Sequence, residues 1–214
     1  MSEVNNACIA GKNLVSFSGV SSQHRDDIMD VLMLADFRAT QTWRPHSQWT
    51  SWINNYRSHL ISSGFQLKSQ IVKPAMVINC ASELDNVSLG VTGSLCADNL
   101  MDLARRSFKA ARLTEHARQF FEFGTGPGRF GTFQVVPCEH IGSNDVAILI
   151  CALHASANLS SESRGGDWRI NREMVVRLAG GVYHFNGDRH AEHRARIQAR
   201  LDGVGRLDLQ HLSV

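Results

Sequence analysis

The sequence predicts one α+β domain spanning residues 1–214: an antiparallel sheet with long C-terminal strands covered by helices, in the order β-αα-ββ-α-βββ-α. Three observations predict it. Apolar residues step by three and four through 28–37 and again through 49–60, which is helical spacing. The spacing switches to two at Phe65. Three later runs, about 131–138, 145–159 and 168–185, read as strands. Helices that interrupt an antiparallel sheet and cover it make the α+β class.

Taken in order, Leu14 to Phe17 reads as a first strand. Ser21-Ser22 offers an N-cap, and Asp26 and Asp27 favour the positive end of a helix dipole. Ile28, Leu32 and Ala35 then share one helical face to about Phe37, and Arg44-Pro45 breaks the helix. Ser47 is the expected cap of a second helix, whose stripe is Trp49, Trp52, Ile53, Tyr56 and Leu60, with Gly64 as its stop. Such a stripe is core, or else a platform for carbohydrate or membrane.

Phe65, Leu67 and Ile71 alternate with Gln66, Lys68 and Gln70, so one face of that strand is buried. Lys73-Pro74 turns the chain into an apolar strand, Ala75 to Cys80, and Val87, Leu89 and Val91 add another short one. From Asp98 to about Phe121 the pattern is helical. Leu100, Leu103, Ala104, Ala111 and Phe121 line one face, and Arg105, Lys109, Arg112 and His116 form a basic stripe opposite. Solvation explains such a stripe; anionic lipid, an acidic partner or nucleic acid are its functional readings.

In the 145–159 strand, Ala147, Leu149, Cys151, Leu153, Ala155, Ala157 and Leu159 make a continuous apolar face. The alternate face begins with Val146, Ile148 and Ile150, then turns polar at His154, Ser156 and Asn158. Gly180-Gly181 is expected to bulge or bend the last strand. A final Arg-rich helix, about His190 to Leu201, has Ala191, Ala195, Ile197 and Leu201 to pack. Residues 1–12 and 203–214 are expected to be loose ends.

The chain has 214 residues, 43% hydrophobic and 20% charged, which excludes collagen-like, coiled-coil and disordered classes. Its net charge of +2 does not imply a nucleic-acid partner. Only four of the 22 basic residues are lysines. Arginine grips carboxylates and phosphates through a planar fork, although GC-rich coding raises arginine content too. The five cysteines include no C-x-x-C pair, so they read as reduced thiols. No apolar run exceeds Val146 to Leu153, well short of a membrane-spanning helix, and the first 20 residues lack a signal-peptide core. The expectation is a protein made soluble in the cytoplasm, with leader-less export left open.

Several motifs carry residues that could do chemistry. Gly126-x-Gly128-x-x-Gly131 has the letters of a dinucleotide loop, but it follows a helix and opens a strand, the reverse of what that fold needs. His190-Ala-Glu192 matches half of the zinc deaminase signature, and no P-C-x-x-C follows it. Cys138, His140 and His154 have no spacing that demands a metal, so neither metal nor cofactor is implied. The better enzymatic candidate is a Cys96, His154 and Asp167 set. Cys96 stands at a helix start, where the dipole stabilises a thiolate. His154 lies 58 residues on and Asp167 a further 13, an order that resembles papain-like and NlpC-type hydrolases. No tryptophan or serine follows the cysteine as in those families.

The order of elements across 13–186 resembles the Cyt-type cytolysins, the volvatoxin-like proteins included. The local echo is Phe133 to Cys151, a strand, a polar turn and an apolar strand carrying a cysteine. The single 98–121 helix stands where that family has a pair, and the charged last helix is unusual for it. The resemblance implies two helical layers around a sheet of long strands. It also implies a function: a soluble protein meets membrane, the helices peel away, and the sheet perturbs the bilayer. Leu149 and Leu153 would then face lipid, and the Arg105, Lys109, Arg112 and His116 stripe would meet anionic headgroups. The alternatives are the cysteine hydrolase and a non-catalytic binding or assembly protein with an acidic partner. A homo-oligomer is left open.

Overall fold

The computed structural model describes residues 6–10, 12–72, 74–79, 132–164, 167–203 and 209–213, with residues 83, 100, 102, 103 and 106 between them. Among these, eight strands and three helices are formed. The strands are β1 (Asn6–Ala10), β2 (Asn13–Ser18), β3 (Gln66–Val72), β4 (Met76–Ile78), β5 (Thr132–Gly142), β6 (Asp145–Arg164), β7 (Asp167–Asn186) and β8 (Leu209–Ser213). The helices are α1 (Ser22–Thr42), α2 (Trp49–Ser62) and α3 (Gly187–Asp202).

The strands form one sheet in the order β3-β7-β6-β5-β2-β1-β8, with β4 also on β7. Every pairing is antiparallel except β2 with β5. The α+β class read from the sequence is thus the observed one.

The α1 stripe is buried at Ile28, Leu32 and Ala35, and the Ser21 side chain accepts a hydrogen bond from the His24 amide as the N-cap. The helix runs past Phe37 to Thr42 because Ala39 is also buried. In α2, Trp49, Trp52, Ile53, Tyr56 and Leu60 are all buried, so the stripe is core and not an exposed platform. The expected Ser47 cap is not formed: Gln48 holds that position and makes no side-chain cap bond. Gly64, at φ +103°, reverses the chain into β3.

One face of the sheet packs Val15, Phe17, Val136, Cys138, Ile148, Ile150, Tyr183 and Phe185 against the helices. Residues at alternate positions, Leu149, Cys151, Leu153, Met174, Val176 and Leu178, are buried as well. So are Leu100 and Leu103, which are helical as expected. The rest of the 98–121 helix, and the Val87 to Val91 strand, lie outside the described residues.

The chain ends differ from expectation. Residues 6–10 pair with β2, and 209–213 pair with β1. Neither segment has strong strand formers in alternation, so pairing with a neighbour makes them strands, not their own propensity. The expected bulge is also displaced. The β6–β7 register runs unbroken through Gly180-Gly181, and the irregularity falls between Leu67 and Ser69 of β3. A Cβ on Gly180 (φ +146°) would strike the Ile150 carbonyl, and one on Gly181 the Ser69 carbonyl. The glycines therefore let neighbouring backbones approach.

Candidate functional site

β6 and β7 form a hairpin with twenty residues in each strand. At about 3.3 Å per residue that is about 65 Å long. Its inner half is sheet core: β5 pairs with β6 up to His154, and β3 with β7 from Ala179 to His184. Val146, Ile148, Ile150 and Ala152 are buried on one side and Ala147, Leu149, Cys151 and Leu153 on the other.

Beyond β4, which pairs with Met174 to Val176, the described strands pair only with each other, Asn158–Arg164 with Asp167–Glu173. The register sorts this outer part, together with the adjoining Ala157–Met174 pair, into two alternating sets. One pairs Ala157 with Met174, Leu159 with Arg172, Ser161 with Ile170 and Ser163 with Trp168. The other pairs Asn158 with Glu173, Ser160 with Asn171, Glu162 with Arg169 and Arg164 with Asp167, and every member is polar.

His154 marks the transition. It is 5% exposed and stacks on Trp49 of α2, ring centroids 5.6 Å apart. Its Nδ1 lies 3.2 Å from Thr132 Oγ1, whose hydroxyl donates to the Pro45 carbonyl at 3.4 Å. That arrangement puts the ring proton on Nδ1, donating to Thr132. Burial, with Arg177 and His46 nearby, lowers the His154 pKa to about 4, so the ring is neutral at pH 7.

This geometry corrects the hydrolase reading. His154 pairs across the hairpin with Arg177, whereas Asp167 pairs with Arg164 at the tip. Ten residues of β6 separate the two positions, about 33 Å, so Asp167 does not orient His154. Cys96 lies outside the described residues.

Cys138, His140 and His154 are likewise kept apart. The Cys138 Sγ–H points to the Val136 carbonyl at 3.6 Å in the core. His140 is exposed opposite Val146, and His154 is eight residues further along β6. Among the described residues no three potential ligands converge. His190 is wholly buried while Glu192 is exposed, which removes the H-x-E pair as a zinc motif.

Of the membrane-facing candidates, Leu149 and Leu153 are buried at 0% and 1% exposure. Arg105, Lys109, Arg112 and His116, and the glycine loop at 126–131, lie outside the described residues. Asp102 and Arg106 form an i,i+4 ion pair at 3.0 Å.

A cluster that the sequence reading missed ties α3 to α1. Arg194 grips Asp27 with two hydrogen bonds of 2.7 Å, and Gln23 donates to the same carboxylate. His190 sits beside them with Nε2 3.7 Å from Asp27 Oδ1, and its Nδ1 lies 3.2 Å from the Ser63 carbonyl at the end of α2. Asp27 had been read as a dipole residue; it is 1% exposed instead. Its partner is 167 residues away, so no local pattern announces it. The faces of α3 turn accordingly. Ala191 and Ala195 are exposed, and Gly187, His190, Ile197 and Leu201 are the buried residues.

No helix among the described residues is long and apolar enough to cross a membrane. No protein-family model and no curated protein matches the chain. Among solved structures, the Evf virulence factor is similar at a TM-score of 0.35 and 11% identity, over 92% of this chain and 81% of that one.

Proposed function

We propose that this chain is a membrane-active protein of the cytolysin kind, and that the β6–β7 hairpin is the element that meets the bilayer. One observation carries the reading: the outer hairpin alternates a set holding all its apolar residues with a set that is entirely polar. That alternation is what a membrane-spanning β-strand requires, one face to lipid and one to water. The alternation holds from Ala157 to Arg164 and from Asp167 to Met174, eight residues in each strand. Carried on to Ala155 and Val176 each strand has ten, against the about 9–11 that cross a bilayer, with Val175 the single apolar member of the polar set. The hairpin closes its own hydrogen bonds along one edge, and association with further copies would close the other, since open edges are not tolerated in lipid.

Leu149 and Leu153 reach lipid in this account only after the inner sheet is uncovered. The basic residues Arg105, Lys109, Arg112 and His116 supply the attraction for anionic headgroups. The test is dye release from sealed liposomes, anionic and zwitterionic, with Cys96→Ala beside the wild type. Release by both proteins, faster from anionic vesicles, is the expected result. Vesicles that stay sealed at every composition contradict the reading, and release lost with the thiol assigns it to Cys96 chemistry.

A further inference from the structure

His154 and His190 bracket α2. His154 stacks on Trp49, the first residue of the helix, and His190 holds the carbonyl of Ser63, just beyond its last. Each also fixes α2 to another part of the molecule. His154 is bonded to Thr132 of β5. The His190 ring lies 5.1 Å from Phe185 of β7, and its Nε2 faces Asp27 of α1.

We propose that these two histidines form an acid-operated release for the helical layer: charging them loosens α1, α2 and α3 from the sheet while the sheet keeps its pairing.

Neither ring has surroundings that would hold a second proton. Among the described residues, the charged or titratable groups around His154 are Arg177 from β7 and His46 from the α1–α2 connection, and neither offers negative charge. The Trp49 face stabilises an imidazolium by a cation–π contact, which offsets only part of the burial. Around His190 stand Asp27 and Gln23 from α1, Arg194 and His193 from α3, the Ser63 carbonyl and the Phe185 ring. His190 Nε2 is buried without a hydrogen-bond partner. The carboxylate in reach among the described residues, Asp27, is already held by both Arg194 bonds, so a proton on His190 sets two cations competing for it.

The sign follows. Burial lowers the proton affinity of both rings in the closed form, for His154 to about pH 4. An opened layer binds protons first. The advantage of the closed form is therefore complete above about pH 6.5 and drains as pH falls toward 4. For His154 alone, linkage gives about a 30-fold rise in the opened population between pH 7.5 and pH 5.

The inference stands on packing and not on the membrane reading, and its test contains no lipid. Hydrogen exchange of the wild-type chain is followed at pH 7.5 and pH 5.0, corrected for intrinsic exchange. Loss of protection in α1, α2 and α3 by about 30-fold or more, with the inner strands of β5, β6 and β7 still protected, is the expected result. Helices that keep their protection at pH 5, or helices and strands that lose it together, overturn the proposal. The double variant His154→Gln, His190→Gln is expected to abolish the difference, and a difference that persists overturns it. Should that variant not fold at pH 7.5, titration of the wild-type histidine rings by NMR decides: two rings titrating near pH 6.5 overturn the proposal.

Discussion

α1 and α3 belong to the same helical layer but are held by different physics. α1 buries an apolar series from Ile28 through Ala39, with Val31 and Leu32 wholly enclosed. α3 buries only Gly187, His190, Ile197 and Leu201, and reaches α1 through the Arg194–Asp27 pair. Apolar burial has no direction and no charge to titrate. A buried ion pair is directional and leaves an uncompensated carboxylate when one partner goes. The difference teaches that the layer is stable as a body but has a polar seam along α3.

The largest effect expected from breaking this comparison comes from Leu32→Ala. It removes a side chain with 0% exposure from the centre of the core, and should cost about 3 kcal/mol in urea denaturation, felt by every element at once. Arg194→Ala should cost less, about 2 kcal/mol, because the Arg194 side chain is 32% exposed while the Asp27 side chain is buried. Its loss should fall on α3, seen as hydrogen exchange confined to 187–202. A loss spread evenly over the molecule would remove the distinction between the two helices.

The acid response described above acts on both helices at once, since His190 of α3 faces Asp27 of α1. The neutrality of His154 alone should account for about 3 kcal/mol of stability between pH 6.5 and pH 4, read by urea denaturation at the two pH values.

How far the sequence carried depended on the range of the interaction. The α2 stripe was legible because Trp49, Trp52, Ile53, Tyr56 and Leu60 signal through local periodicity, and all five are buried. The long hairpin was legible for the same reason, although it runs to Arg164 and begins again at Asp167, beyond the 145–159 and 168–185 expected. Polar residues there end the apolar signal without ending the backbone pairing. β1 and β8 were not legible, since β1 is made a strand by β2 and β8, and β8 by β1. The Cys96, His154 and Asp167 set illustrates the converse. Spacing along a chain says nothing about register, and β6 and β7 carry His154 and Asp167 apart. Asp27 reads as a helix-dipole residue, His190 as half of a signature at the start of the last helix, and Arg194 as one arginine of that helix, and only the docking of α3 on α1 makes them a cluster.

The most direct test of the account follows the outer hairpin at a lipid surface. An environment-sensitive fluorophore is installed by amber suppression at 157, 159, 158 or 160, one position per protein, and each protein is mixed with anionic vesicles carrying a lipid-borne quencher. The account predicts a blue shift and quenching at 157 and 159, the set that carries the apolar residues, and aqueous spectra at 158 and 160. Four positions that stay aqueous, or that change alike without alternation, would contradict it.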